Sequence, residues 1–357
     1  MLWFSFAYFV VNLLNFSQAI KVENASLVFA QVIFRHGDRN PLITYPNDPL
    51  KYDWPEGLVQ QEYNLGQYLR KRYETLLPVD VFPNKIVYVQ STDRDRTLMS
   101  AASVLAGLFP PTTQQIFNKN ITWQPIPIHT IPIRMDYILA ANKHCDRYAF
   151  LLKEHLKRPD YIAWRIKYKW LYEYIEKKSG LSTDNPLNVI FLHDALEIHQ
   201  LKNKTIPEWA SKIFDEFTKV ATFENFNFIG TRETSRLTSG FLLREIIERF
   251  NAKIDGSLKP NRNLWLYSGH DTTITSFMKL LDLLDSELPP YSTSILLELY
   301  QYDEQHFIQI VYKKNNNENI QPLYIPGCGT LCPLDEFYEI YRAFIPINDF
   351  ETECKLE

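Results

Sequence analysis

Short apolar runs along the chain predict three β-strands that are buried on both faces. The runs are 27–34 (LVFAQVIF), 85–90 (KIVYVQ) and 263–267 (NLWLY), and each is too short for most helices. Apolar residues at helical spacing follow the second and third runs, over 98–105 and from 272 to about 284. Strands that alternate with helices indicate an α/β fold with a mostly parallel central sheet and helices on both faces.

Unusual ionisable residues follow each of these predicted strands. The sequence RHGDR (35–39) follows the first run, STDRDR (91–96) the second, and SGHD (268–271) the third. Residues 91–93 are also N-cap candidates for the helix after the second strand. Because open parallel sheets bind ligands beyond the carboxyl ends of their strands, we expect the three segments to meet in one site.

The middle of the chain has a different pattern. Between about 135 and 240, helical segments rich in Lys, Glu, Trp and Tyr replace the strands, with 161–178 and 209–223 as examples. We interpret 135–240 as an inserted all-α cap domain. The segments 20–134 and 241–357 then form the α/β catalytic domain.

A proline-punctuated segment precedes the predicted cap. It spans 123–132 and reads WQPIPIHTIP. Proline has no amide hydrogen to donate to a strand ladder, so central strands rarely contain it. We therefore expect this segment at a sheet edge or in a connection, where it is also a candidate contact surface.

Residues 1–19 predict a signal peptide. An apolar stretch from Leu2 to Leu14 is followed by small and polar residues that end at Ala19, although the usual basic start is missing. The alternative is an uncleaved membrane anchor, but the stretch is shorter than the roughly 20 apolar residues that a spanning helix needs. Since charges interrupt every later apolar run, we predict a secreted protein without a membrane span after cleavage. A soluble lysosomal or other luminal form is the alternative.

Asparagine and cysteine usage agrees with passage through the secretory pathway. Three N-glycosylation acceptors are present, Asn24, Asn120 and Asn203. The four cysteines form an even set, as two disulfides require. The spacing of Cys328 and Cys332 in GCGTLC suits a small local loop, which leaves Cys145 to pair with Cys354.

Charge and motif content exclude several partners and cofactors. The 357 residues include 38 basic and 42 acidic side chains, a net charge of −4, so no global positive field favours nucleic acid as a partner. No CxxC or HExxH spacing supports a metal site, and no GxxxxGK[ST] or GxGxxG sequence supports a nucleotide cofactor. We therefore expect neither a metal nor another cofactor, and any anion site must be local.

The sequence RHGDRNP (35–41) combines two arginines with a histidine. The planar guanidinium groups of Arg35 and Arg39 match phosphate oxygens in geometry and charge. A neutral imidazole at His36 could attack phosphorus to form a phosphohistidine, while the arginines stabilise the transition-state charge. The alternative is a polar turn after a buried strand.

Asp38 lies between the arginines, and we expect it in an ion pair or a turn rather than in catalysis.

Four segments resemble the motifs of the histidine acid phosphatases: RHGDRNP, STDRDRTLMSA, WQPIPIHTIP and YSGHDTT. The resemblance covers most of the mature chain and implies the family's phosphoglycerate-mutase-like α/β fold with a helical cap. It implies that His36 is the nucleophile and that Asp271 protonates the leaving group. It also implies four phosphate-binding side chains, Arg35, Arg39, Arg96 and His270.

The resemblance extends to other features of the chain. It selects Arg96 over Arg94, and residues two apart on a helix face different directions, so we expect Arg94 in solvent or at the rim. It implies a small phosphate monoester as substrate, and a homodimer formed through the region of Trp123 and His129. It implies the same two disulfides, Cys145 with Cys354 and Cys328 with Cys332.

The acid role of Asp271 carries a conflict. At a helix start near arginines, amide donors and positive charges lower the pKa of a carboxyl group, whereas a general acid must keep its proton. The negative charge of bound phosphate opposes this effect, and acidic solution protonates both substrate and carboxyl group. We therefore expect an acidic pH optimum.

Two other functions fit the same pattern. The first is a catalytically inactive secreted binding protein of the same fold, which the retention of all the pocket residues disfavours. The second is a phytase-like phosphatase, or a mutase, that shares the phosphohistidine step. The pair His270-Asp271, in place of the His-Ala-Glu of inositol polyphosphate phosphatases, favours a broad monoesterase. The physiological substrate depends on loops and on the cap, which the sequence does not resolve.

Overall fold

The computed structural model describes residues 25–50, 58–140, 145–314, 320 and 322–356. The predicted signal peptide, 1–19, and the acceptor Asn24 lie outside these residues. The other two glycosylation acceptors, Asn120 and Asn203, are exposed, as a modified asparagine must be.

A mixed β-sheet forms the centre of the described structure. Its strands are β1 (Ser26–Arg35), β2 (Val87–Thr92), β3 (His129–Ile131), β4 (Leu264–Gly269), β5 (Ser294–Tyr302), β6 (Gln305–Lys313) and β7 (Cys332–Pro333). They are ordered β3-β2-β4-β1-β5-β6-β7 across the sheet. The first four strands in this order pair in parallel, and the remaining pairings are antiparallel.

Helices surround the sheet and form the rest of the fold. In chain order they are α1 (Leu58–Arg72), α2 (Pro83–Ile86), α3 (Asp95–Leu108), α4 (Asp146–His155), α5 (Pro159–Lys167), α6 (Lys169–Ser179), α7 (Pro186–Leu201), α8 (Glu208–Ser211), α9 (Phe214–Ile229), α10 (Arg232–Ile254), α11 (Asp271–Leu280), α12 (Leu334–Tyr341) and α13 (Phe350–Glu353). The α/β class predicted from the sequence is therefore confirmed.

Alternate residues of β1 pack against different helices, because successive side chains of a strand point to opposite faces. Phe29 and Ile33 belong to a core formed with α10, α11 and α12. Val32 and Phe34 belong to a second core formed with α1 and α3. Helices thus cover both faces of the sheet, as the apolar run without polar alternation predicted.

The predicted strands are confirmed as β1, β2 and β4, but three details differ. The sheet is less parallel than expected, because the chain after α11 forms an antiparallel hairpin of β5 and β6. β2 begins at Val87, since the preceding residues form the short helix α2. The N-cap of α3 is Arg94 and none of residues 91–93, because β2 continues to Thr92 in its pairing with β3. The proline-punctuated segment supplies β3 at the sheet edge, as predicted.

The region predicted as a cap contains α4 to α9. Residues from α6, α7, α8 and α9 form a separate hydrophobic core with Tyr45. The expected helix over 161–178 is divided at Tyr168 into α5 and α6. The expected boundary at 240 falls within α10, whose residue Phe241 packs against the sheet. The division of the chain into domains stays a prediction.

α1 and α3 pack with their backbones in contact, because each has a glycine at the crossing. A Cβ atom on Gly66 would lie 2.1 Å from the carbonyl oxygen of Val104, and one on Gly107 would lie 2.1 Å from that of Tyr63. No larger residue fits at either position without moving a helix. This contact holds α3, whose first turn carries Arg96, against the rest of the α/β structure.

Two disulfides link distant and local parts of the chain. One joins Cys145, before α4, to Cys354, after α13. The other joins Cys328 to Cys332 within a short loop. Both pairs are those that the spacing and the family resemblance predicted.

Within the described ranges, none of the helices combines the length and apolar composition needed to cross a bilayer.

Candidate active site

Three neighbouring strand ends bring the predicted site residues together. The last residue of β1, Arg35, lies opposite Gly269, the last residue of β4, and β2 ends beside the same strand. Parallel strands end at one edge of a sheet, which is where α/β proteins bind ligands. At this edge the ring centroids of His36 and His270 are 5.6 Å apart.

The guanidinium group of Arg35 is held by three neighbours. Its Nη1 donates to the carbonyl oxygen of Pro289 at 2.5 Å, and its Nη2 lies 3.2 Å from Oδ2 of Asp271. Its central carbon lies 4.1 Å from the ring centroid of Tyr291. Arg35 is buried, so these contacts fix its orientation before an anion binds and reduce the entropy lost on binding.

Arg39 pairs with a carboxylate on α7. Its Nη1 and Nη2 donate to the two carboxylate oxygens of Asp194 at 2.9 Å and 3.2 Å. Burial alone would lower the pKa of Arg39, but the charge of Asp194 outweighs burial and raises it above its usual value. A bidentate pair of this kind fixes both the charge and the plane of the guanidinium group.

Arg96 and His270 contact each other from neighbouring strand ends. The Nη2 atom of Arg96 donates to Nδ1 of His270 at 3.1 Å, and Nε2 of His270 lies 2.9 Å from Oγ1 of Thr92. A guanidinium group can only donate, so Nδ1 accepts and the neutral ring carries its hydrogen on Nε2. The hydrogen bonds thus define both the position and the tautomer of His270.

The three arginines lie close enough to repel one another. Burial lowers the pKa of Arg96, and the positive charge of Arg39 lowers it further. The Nε atoms of Arg35, Arg39 and Arg96 are buried and have no hydrogen-bond partner among the described residues. Buried donors without acceptors cost free energy. An anion would supply the acceptors and relieve the repulsion, so the cluster suits a small polyoxygen anion.

His36 has the properties of a nucleophile. Its Nδ1 lies 2.7 Å from the carbonyl oxygen of Gly37, which can only accept, so the hydrogen is on Nδ1 and the lone pair on Nε2. Burial holds the pKa of His36 well below its usual value, and the charge of Arg35 lowers it further. An ordinary histidine is a cation below a pH of about 6.5. His36 keeps its lone pair in more acidic solution.

Asp271 is the first residue of α11 and is ionised by its surroundings. Its Oδ1 accepts the backbone hydrogen of Thr272 at 2.7 Å, and its Oδ2 faces Arg35. Burial alone would raise the pKa of Asp271, but the positive charges of Arg35 and Arg39 outweigh burial and hold it well below its usual value. The conflict expected from the sequence is therefore present: with these neighbours alone, the carboxyl group has no proton to donate.

Asp38 and Arg94 lie outside this arrangement. Oδ2 of Asp38 is 2.8 Å from Nζ of Lys202, and its backbone amide donates to Oε1 of Gln61 at 2.9 Å. The expected ion pair is confirmed, with Lys202 as partner in place of the neighbouring arginines. Arg94 is exposed, as predicted.

A cavity of about 360 Å³ opens beside Arg35 and Asp271. One wall comes from α7, and the facing wall comes from residues 288–291, Leu-Pro-Pro-Tyr. A cavity of this size accommodates the organic part of a small substrate. It lies next to the arginine cluster, because Arg35 is among its lining residues.

Sequence reasoning missed two residues that organise the site, Asp194 and Tyr291. Asp194 had a detectable signal, because it is the only carboxylate between Pro186 and Ala195 in a helix that is otherwise largely apolar. Tyr291 had a weaker one, an aromatic residue directly after two prolines in a loop. Neither signal names the partner, since Arg39 is 155 residues from Asp194.

The described residues contain one set of potential metal-ligating side chains, Cys328, Cys332 and Glu336. Its two sulfur atoms are bonded to each other in a disulfide. A thiolate ligand is therefore not available from either cysteine.

Comparisons with known proteins identify the family of the chain. The family model described as "Histidine phosphatase superfamily (branch 2)" matches residues 55–313. Rat prostatic acid phosphatase is 37% identical over 92% of this chain and 89% of its own length, and human lysosomal acid phosphatase is 37% identical over 93% and 81%. The solved structure of a Klebsiella phytase shares the fold, with a TM-score of 0.67, 15% identity, and coverage of 93% of this chain and 98% of the phytase. The resemblance seen in the sequence is confirmed: the chain belongs to branch 2 of the histidine phosphatase superfamily.

Proposed function

We propose that this protein is an acid phosphatase that hydrolyses small phosphate monoesters through a phosphohistidine intermediate on His36. The main support is a neutral imidazole with its lone pair on Nε2, close to three arginines whose buried Nε groups have no acceptor among the described residues. A phosphate group satisfies those donors and balances the charges. The acid phosphatase relatives, at 34–37% identity over most of the chain, support the same activity.

The reaction proceeds by two displacements at phosphorus. In the first, the Nε2 lone pair of His36 forms a P–N bond, the ester P–O bond breaks, and the leaving oxygen takes a proton from Asp271. In the second, water forms a P–O bond and passes a proton to Asp271 as the P–N bond breaks. Inorganic phosphate leaves and His36 is again neutral. Both steps share the phosphate-binding side chains, Arg35, Arg39, Arg96 and His270.

Substrate binding resolves the conflict at Asp271. The phosphate charge offsets that of Arg35 and the other cations, so the pKa of Asp271 rises when substrate binds. His270 can donate from Nδ1 only as the imidazolium, a form that the phosphate charge also stabilises. Both effects favour the reaction in acidic solution, where His36 remains neutral.

Trapping the intermediate tests the proposal directly. Purified protein is mixed at acidic pH with an aryl ester of radiolabelled phosphate and quenched in alkali, in which phosphohistidine survives. We expect release of the phenol together with label on the peptide that contains His36. Hydrolysis with label elsewhere would contradict the assigned nucleophile. A protein that binds phosphate and hydrolyses no ester would be the inactive binding protein.

A phytase-like activity is the second candidate, because phytases share this fold. The charges that line the cavity oppose it: Asp38, Asp194, Glu197 and Asp271 accompany a single lining cation, Arg35. Such a lining disfavours a substrate with several phosphate groups. Comparing phytate with sugar phosphates, nucleotides and phosphotyrosine as substrates would decide between a phytase and a broad monoesterase.

Secretion is part of the proposal. It rests on the apolar segment 1–19 and on the two disulfides, which form in oxidising compartments. Glycans at Asn24, Asn120 and Asn203 would accompany it, and two of these residues are exposed. A lysosomal or other luminal location is the alternative, and lysosomal acid phosphatases are among the relatives.

A homodimer through the β3 edge completes the proposal. β3 is the last strand on that side of the sheet. Three apolar residues that precede it in the chain are exposed: Trp123 (44%), Phe117 (62%) and Ile121 (40%). Exposed apolar residues beside a strand edge that no described strand covers favour pairing with a second copy. Light scattering should give twice the mass of one chain, and Trp123→Arg should reduce it to that of one chain. A single-chain mass for the unchanged protein at micromolar concentration would contradict the dimer.

A further inference from the structure

One face of α7 forms a wall of the reaction cavity. Ile190, Asp194, Glu197 and Leu201 all line the cavity, at spacings of four, three and four residues, which place them on the same side of a helix. Two carboxylates thus lie between two apolar side chains. Asp194 is engaged by both terminal nitrogens of Arg39, which leaves the neighbouring carboxylate of Glu197 for other contacts.

The other carboxylates of the cavity have basic partners. Asp38 pairs with Lys202 at 2.8 Å, Asp194 with Arg39 at 2.9 Å and Asp271 with Arg35 at 3.2 Å. Glu197 forms no ion pair with any residue in the described part of the chain. It is therefore the lining carboxylate without an ion pair among the described residues, and the charge of Arg35 only partly offsets burial, which raises the pKa of Glu197.

Glu197 also lies where the cavity continues away from the phosphate site. A second cavity of about 590 Å³ adjoins the first, and His193, Glu197 and Leu288 line both. The other charged residues of the second cavity are engaged: Lys219 with Glu216 at 2.7 Å, and Glu287 with a lysine at 2.8 Å. A leaving group that extends from the phosphate passes the Glu197 carboxylate.

We propose that Glu197 determines leaving-group specificity, favouring monoesters whose alcohol carries a primary ammonium group over those with a second anionic group. The inference rests on the proposed phosphatase function. A cationic leaving group pairs with Glu197 while the apolar side chains of Leu201 and Leu288 contact its carbon skeleton. An anionic leaving group meets the same carboxylate as a like charge, which lowers its binding.

Three aryl phosphates that differ in one para substituent test the inference: aminomethyl, methyl and carboxyl. The quantity to measure is the ratio of kcat/KM for the aminomethyl ester to that for the carboxyl ester, at several pH values from roughly 5 to 8, because burial raises the pKa of Glu197 above the ordinary range for a carboxyl group. The ratio for the unchanged protein should rise with pH as Glu197 ionises. We expect a ratio above one for the unchanged protein. Glu197→Gln should reduce it about five- to tenfold, and Glu197→Lys should reverse the preference.

The methyl ester separates this inference from the proposed function. Its hydrolysis should change less than about twofold in either Glu197 variant, because it carries no charge near that position. Glu173→Gln, an exposed carboxylate on α6, is the matched control and should leave the ratio unchanged. An unchanged ratio in Glu197→Gln, with the methyl ester still hydrolysed, would overturn the specificity role alone. No hydrolysis of any of the three esters by the unchanged protein would overturn the proposed function and this inference with it.

Discussion

Replacing His36 with alanine should reduce kcat for aryl phosphates by about 10⁴-fold or more, because the variant has no atom that can form the covalent bond to phosphorus. The arginine cluster and the Asp271 carboxyl group remain in this variant. Inorganic phosphate should therefore still bind as a competitive ligand, and its affinity should change far less than turnover. Steady-state kinetics and calorimetric titration with phosphate would measure the two quantities separately.

A second histidine provides the control for His36. His306 lies near the start of β6 and pairs with Gln301, whereas the other end of β5, Ser294, pairs with Phe34 beside the site. It is not among the residues that line the cavity. His306→Ala should retain nearly full activity. A His36→Ala protein that keeps more than about a tenth of the original kcat would exclude the phosphohistidine route, since no other group replaces a covalent nucleophile so efficiently.

Replacing Asp271 with asparagine should lower kcat by about 10²- to 10⁴-fold for esters with basic leaving groups. Asparagine retains the shape of the side chain and can still accept the hydrogen bond from Thr272, but it cannot deliver a proton. The loss should be much smaller for an ester whose leaving group departs as a stable anion, such as nitrophenol. A series of aryl esters would reveal this difference as a steeper dependence of rate on leaving-group basicity.

The pH profile provides an independent check on Asp271. The pKa of Asp271 lies below its usual value without substrate, and bound phosphate raises it. In the active form of the substrate complex, the Asp271 carboxyl group is protonated. The kcat should therefore fall as pH rises through the raised pKa of Asp271, and this decrease should be absent in Asp271→Asn. Asp303→Asn, in the exposed β5–β6 turn, should keep the original profile. An Asp271→Asn protein with the original rates and profile would contradict the acid role.

The same lowered pKa bears on stability in acid. A carboxyl group with a folded-state pKa below its unfolded value stabilises the fold above the unfolded value, and this contribution is lost as pH falls through the folded value. For Asp271 that loss occurs only in strongly acidic solution. In the protein without substrate, the ion pair between Asp271 and Arg35 therefore persists at the moderately acidic pH at which we expect activity.

Local patterns were sufficient to predict most of the α/β structure. β1, β2 and β4 were found from apolar runs, because a strand covered on both faces needs continuous apolar residues. The hairpin of β5 and β6 was missed, since its antiparallel pairing beside β1 depends on contacts between segments more than 250 residues apart. The N-cap of α3 was misplaced for a similar reason, because pairing with β3 extends β2 to Thr92.

The sequence by itself identified the central side chains of the candidate site, although not Asp194 or Tyr291. The strand ends place the three motifs at one edge, because each strand end is encoded locally and parallel strands end together. The family resemblance then selects His36, Arg96, His270 and Asp271 within those motifs. The sequence also identified the two cysteine pairs that the structure contains.

Only the tertiary structure decided the chemical state of those side chains. The low pKa of His36, the low pKa of Asp271 and the orientation of Arg39 each depend on burial or on a partner distant in the chain. Glu197 is one acidic residue among many in the sequence, and its place in the cavity follows from how α7 packs beside the sheet edge. Charge and solvation depend on the whole surroundings of a group, which local sequence does not specify.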